Sequence, residues 1–358
     1  MNIGRIRDTA IKWAAATFWN TPGCFGIARI LGPDYSLRCV VFHDVSESES
    51  PFTQGMGATI TPSRLGGALR FLTKYYNPVS LQEVLADSRG RRLPPRPILV
   101  TFDDGYASAM NAAALCQTLG VPATFFLNAA FIDNNKLAPD NLICYAANKF
   151  GIDAINQAAC ALKGSGIRAL RSLSEVFGSF LPGLSLNERE TFLDALAGFT
   201  GVNGRQLAAQ AALYLTWNQV STLASFGCEI GNHTYSHVHC RSLTERDFDQ
   251  EIHRNKTELE VRSGMKVRAF SLPYGSSVDL TDDVATHLQR SGHQAVFFSE
   301  SVANPPGADT FHLDRVGSRA ASDDFFFFEI EVLPRLRAMR NRLRSVAGNY
   351  NHRLRENS

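Results

Sequence analysis

The stretch PILVTFDDGYASAMNAAALCQTLGVPATFFLN, residues 97–128, reads as strand, helix and strand. Its opening PILVTF (97–102) is a short apolar run bounded by polar residues, which predicts a buried strand. ASAMNAAALCQTLG then predicts a helix closed by Gly120, a residue with no Cβ to oppose the left-handed turn that ends many helices. PATFFLN (122–128) predicts a second strand. Strands that read as near-continuous apolar runs, each followed by a helix, point to a parallel sheet covered on its outer side.

The same rhythm extends in both directions. Upstream, LRCVVFHDV (37–45) predicts a strand ending in His43 and Asp44, and TPSRLGGALRFLTKYY predicts a helix that starts at Thr61 and Pro62 and buries Leu65, Leu69 and Leu72. Downstream, SFGCEIGNH, RAFSLPYG and QAVFFSES predict strands. TERDFDQEIHRNKTELEVRSG and TDDVATHLQRSG predict the helices between them. A barrel or a doubly wound sheet fits this order. Residues 131–215 interrupt it with Ala-, Leu- and Gly-rich helical text, read as an insertion that could lie over the site as a lid. The expected organisation is an N-terminal helical segment (1–36), a barrel (37–330) containing that insertion, and a basic C-terminal tail (331–358).

Composition narrows the function classes. The chain has 358 residues, 44% of them apolar, enough for a large core, and a net charge of +2 gives no reason to expect a nucleic-acid partner. Seven scattered cysteines with no CxxC pair argue against a disulfide framework. No apolar run approaches the roughly 20 residues of a transmembrane helix, and no signal-peptide pattern is evident, so a cytoplasmic or membrane-peripheral location is expected. From Arg335 onward the tail carries seven arginines and no acid before Glu356, which suits either a solvated end or peripheral contact with an anionic membrane surface.

The chemistry gathers at predicted strand ends. EIGNHTYSHVHC (229–240) places His233, His237 and His239 close together, and the spacing of four between the first two lets both rings face one point. TFDDGY (101–106) supplies Asp103 and Asp104 where a strand gives way to Gly105. Adjacent carboxylates at a strand end point apart, so one would bind a metal while the other stands beside it. One Asp with His233 and His237 leaves a coordination position for water, the arrangement of a catalytic zinc site. FSLPYG (270–275) is a third such strand end, where Pro273, Tyr274 and Gly275 could shape a groove and offer a backbone N–H.

These residues resemble the polysaccharide deacetylases of carbohydrate esterase family 4, the NodB-like domains. TFDDGY looks like the family's first motif, HTYSH its second and PYG the core of its third. The resemblance covers roughly residues 37–130 and 215–330. It implies an α/β fold, a distorted (β/α)7-type barrel, that removes acetyl groups from N-acetylated polysaccharides or lipid-linked sugars with one divalent metal. Zinc is the first expectation, with cobalt, nickel or manganese as alternatives. Carried over by position, Asp104, His233 and His237 hold the metal, Asp103 is the general base, and the Tyr274 N–H stabilises the oxyanion. Where many members have an Arg before the Pro-Tyr-Gly core, this chain has Ser271 and Leu272. The family's late Leu-x-His motif has its nearest match at His312 in FHLDRVG, a stretch that also resembles a variant branch with an Arg in the last strand, here Arg315. His312, Arg315 and His239 are therefore the candidates for the general acid. His43 matches a strand-end position of that branch, where it would line the groove or orient Asp103. Two other readings stay open: a hydrolase of a small non-peptide amide on the same barrel, and a glycan-binding relative with weak catalysis.

Overall fold

Parallel strands carry the site. The computed structural model describes residues 34–87, 93–162, 168–318 and 322–337. Within it β1 (Arg38–Phe42), β2 (Pro97–Phe102), β3 (Ala123–Leu127), β4 (Glu229–Asn232), β5 (Ala269–Ser271) and β6 (Ala295–Phe298) belong to one parallel sheet. β7 (Leu313–Asp314) pairs with β6, and after Arg315 the chain pairs again as β8 (Val316–Gly317), this time with β1. The two ends of the sheet are thereby joined through one residue, and the sheet curls into the expected distorted (β/α)7-type barrel. The segment expected to be helical at the N-terminus and the basic tail lie outside the described residues, save for residues 34–36 and 331–337.

Burial explains why these segments are strands. All six residues of β2 are buried, as a strand covered on both faces requires. The residues facing into the barrel include Cys39, Leu99, Phe126, Ala269, Phe297 and Leu313, which form one apolar cluster. Gly231 in β4 makes room for it: a Cβ there would stand 2.3 Å from the Phe126 ring. The opposite faces pack under helices such as α1 (Pro62–Tyr75), whose Leu65, Leu69 and Leu72 are buried and whose Thr61 side chain caps the Arg64 N–H.

The insertion is helical as expected, with α2 (Pro139–Phe150), α3 (Ile152–Ala159), α4 (Leu186–Thr200) and α5 (Gly204–Ala211). It has a core of its own around Ile143, Phe192, Leu196 and Tyr214. The long helix after the histidine stretch differs from expectation in one respect: a π-turn at Asp249–Arg254 interrupts it. That turn leaves the Glu251 carbonyl free to accept from the Tyr235 N–H at 2.9 Å, and the Glu251 carboxylate takes the Ser236 N–H and Oγ. The helix therefore anchors the loop that bears the histidines. Six cysteines lie among the described residues, and all are free thiols. No helix among the described residues is long and apolar enough to cross a membrane.

Candidate active site

In a parallel barrel every strand ends on the same face, so the loops after β1, β2, β4, β5 and β6 converge. After β2 the chain turns left-handed at Asp104 (φ 73°) and Gly105 (φ 66°). Asp103 is thereby directed into the barrel mouth and Asp104 toward the loop after β4. Asp104 Oδ1 lies 3.4 Å from His233 Nε2 and 3.4 Å from His237 Nε2. The ligand atoms of these three residues all fall within 4.8 Å of one another. Asp104 Oδ1 is buried and has no hydrogen-bond partner. An orphaned carboxylate oxygen between two imidazole nitrogens is a costly arrangement unless a cation satisfies it, and the donor set suits zinc and its neighbours. Burial opposes ionisation of Asp104; in their protonated forms the two histidines outweigh that and hold the carboxyl well below its ordinary pKa.

Each histidine has its other nitrogen engaged. His233 Nδ1 is 2.8 Å from the Ser271 carbonyl, so it carries the proton and leaves Nε2 with a lone pair facing the site. His237 Nδ1 is 2.5 Å from Asp140 Oδ2, and Tyr274 Oη donates to the same carboxylate at 2.9 Å. Asp140 comes from the first turn of α2, in the insertion. The insertion also supplies Arg189 of α4, whose guanidinium donates to the His237 carbonyl at 2.7 Å. Sequence reasoning missed both residues. An acid behind a proline at a helix start reads as ordinary capping, and nothing local ties it to a histidine 97 positions away.

Asp103 is locked from the opposite side. Arg315 meets it with two bonds, Nη1 to Oδ1 at 2.8 Å and Nη2 to Oδ2 at 2.7 Å, and also donates to Ser271 Oγ at 2.7 Å and the Phe298 carbonyl at 3.1 Å. Arg315 is only 1% exposed and lies over the Phe126 and Phe297 rings. Burial alone would raise the Asp103 carboxyl; the facing guanidinium outweighs it and holds the pKa below the usual value.

A cleft of about 550 Å³ opens over these groups, a size suited to a small ligand or one part of a longer one. It is lined by His43, Met56, Asp103, Asp104, His233, His237, Tyr274 and Arg315, with Asp140, Leu173 and Phe177 of the insertion along one wall. Pro273 is buried beside Tyr274, which takes a left-handed turn (φ 62°). Gly275 follows because a Cβ there would meet the Ser299 backbone at 2.8 Å. His239 and His312 are not part of the Asp104–His233–His237 cluster. His239 stacks on Tyr274 and pairs through Nδ1 with Asp279 at 3.1 Å. His312 has a side chain 63% exposed, stands 3.6 Å from Asp309, and is not among the cleft-lining residues.

A family model described as polysaccharide deacetylase matches residues 90–296. No curated protein matches the sequence. Among solved structures, the chain is similar to the deacetylase PplD of Streptococcus pyogenes, solved in complex with acetate: TM-score 0.55, 13% identity, covering 84% of this chain and all of that one (100%). The de-N-acetylase from Aggregatibacter actinomycetemcomitans is similar with a TM-score of 0.52 and 18% identity, covering 80% of this chain and 96% of that one. IcaB from Ammonifex degensii follows with 0.50 and 19%, covering 82% and 94%. At such identities these likenesses establish the fold.

Proposed function

The chain belongs to the polysaccharide deacetylase family, and from that premise we propose that it hydrolyses the N-acetyl amide of a polysaccharide or lipid-linked sugar with one divalent metal held by Asp104, His233 and His237. The observation that carries the reading is the unpartnered Asp104 Oδ1 set between two imidazole nitrogens. When bound, a divalent cation polarises the acetyl carbonyl and acidifies an attacking water. Asp103, kept ionised by Arg315, is the acceptor for that water's proton. The Tyr274 backbone N–H would donate to the developing oxyanion, with Pro273 fixing the turn that presents it. The leaving amine needs a proton donor that reaches the cleft. Arg315 is occupied by Asp103, His239 pairs through Nδ1 with Asp279 and does not line the cleft, and His312 points into solvent. His43 lines the cleft beside the two aspartates, so we assign it that role. Zinc fits the two-nitrogen, one-oxygen donor set best, with cobalt, nickel and manganese as alternatives.

The test is acetate release from N-acetylglucosamine oligomers by metal-loaded protein. Chelator treatment or Asp104→Asn is expected to abolish release while the circular dichroism spectrum stays the same. Full activity in Asp104→Asn would refute the ligand assignment. No release from any N-acetylated saccharide by fully metal-loaded protein would refute the substrate class.

A further inference from the structure

We propose that the helical insertion is a working part of the metal centre, with Asp140 acting as the positioning residue for His237; this rests on the deacetylase reading only in taking His237 as a ligand. The two histidines are oriented by different means. His233 gives its Nδ1–H to a backbone carbonyl of the barrel, Ser271. His237 meets a carboxylate from outside the barrel strands: Asp140 Oδ2 at 2.5 Å, with Asp140 4% exposed and the ring also buried. A carboxylate behind a ligating imidazole fixes which nitrogen carries the proton, sets the ring's orientation and raises the basicity of the other nitrogen. Here that other nitrogen is the one 3.4 Å from Asp104 Oδ1.

The grip extends to the backbone. His237 has φ 55°, in the left-handed region that non-glycine residues seldom occupy, so its peptide must be held by its surroundings. Arg189 of α4 does this by donating to the His237 carbonyl at 2.7 Å. Tyr274 Oη bonds both Asp140 oxygens, at 2.9 and 3.2 Å, which ties the same carboxylate to the loop after β5. One side chain of the insertion thus connects a metal ligand to the residue proposed to face the oxyanion. A lid that merely covered the cleft would need none of these bonds.

The test measures Zn²⁺ affinity on the full chain by competition with a chromophoric chelator, for wild type, Asp140→Ala and Asp140→Asn. The visible spectrum of the Co²⁺-loaded proteins is a second readout. Asp140→Ala is expected to weaken Zn²⁺ binding by about 10–100-fold and to alter the Co²⁺ bands, because the His237 ring is no longer fixed. Asp140→Asn keeps size and an acceptor oxygen but loses the charge, and is expected to weaken binding by a smaller factor. Wild-type affinity in either folded variant would overturn the proposal, and the isosteric Asn variant carries the test should the Ala variant fail to fold. If wild type binds Zn²⁺ yet releases no acetate, the deacetylase reading fails while weakened affinities in the variants still support this one. Acetate release by wild type together with unchanged affinity in Asp140→Ala would do the reverse.

Discussion

Arg315 and Asp103 form a doubly bonded ion pair in the barrel mouth, with Arg315 all but sealed from solvent. Such a pair adds little net stability against an apolar equivalent, yet breaking it strands a buried charge. Arg315→Met should therefore cost about 3–5 kcal/mol in urea unfolding. The double variant with Asp103→Asn should cost less than the sum of the single changes. A loss below about 1 kcal/mol for Arg315→Met would mean that water reaches Asp103 more freely than its burial indicates. His43 gives a second prediction at this scale. In its proposed role as proton donor to the leaving amine, its replacement in His43→Gln should lower kcat by about 10²–10⁴ with Zn²⁺ affinity unchanged. A wild-type kcat in that variant would move the role to another group.

At the scale of elements, β7 shows how a strand end can be tuned. Burial and the nearby Glu300 push the Asp314 carboxyl up to about 6, against the pull of the backbone N–H groups it accepts from, Glu300 at 2.8 Å and Ser301 at 3.0 Å. Its folded pKa lies above the unfolded value, so the native state holds the proton more tightly. Stability is lost as pH rises from about 4 to about 6, and the penalty is complete above that. Asp314→Asn, which keeps an acceptor oxygen, should gain about 1–2 kcal/mol over wild type at pH 7 and little at pH 4, measured by urea unfolding at both. A difference independent of pH would contradict the shift. The elements themselves were largely legible in the sequence. β2 and β3 are short apolar runs, and the helix between them ends at Gly120, which takes φ 65°. The π-turn at Asp249–Arg254 was hidden, because its cause lies in bonds to Tyr235 and Ser236 that no helical periodicity registers.

For the whole molecule, strand-end loops of the barrel bring Asp104, His233 and His237 together, and the insertion contacts one of them, His237, through Asp140 and Arg189. The clustering of Asp104, His233 and His237 could be read from two motifs at strand ends, since side chains at the mouth of a parallel barrel fall at those positions. Asp140 and Arg189 could not, because their meaning depends on a fold that brings segments about a hundred and about fifty residues apart into contact. The most direct measurement follows acetate release from an N-acetylated glucosamine oligomer as Zn²⁺ is added back to metal-stripped protein. Release should rise and level off at one equivalent of metal in wild type, with none at any ratio in Asp104→Asn. Full activity in the stripped protein, or the same rise in Asp104→Asn, would contradict that expectation.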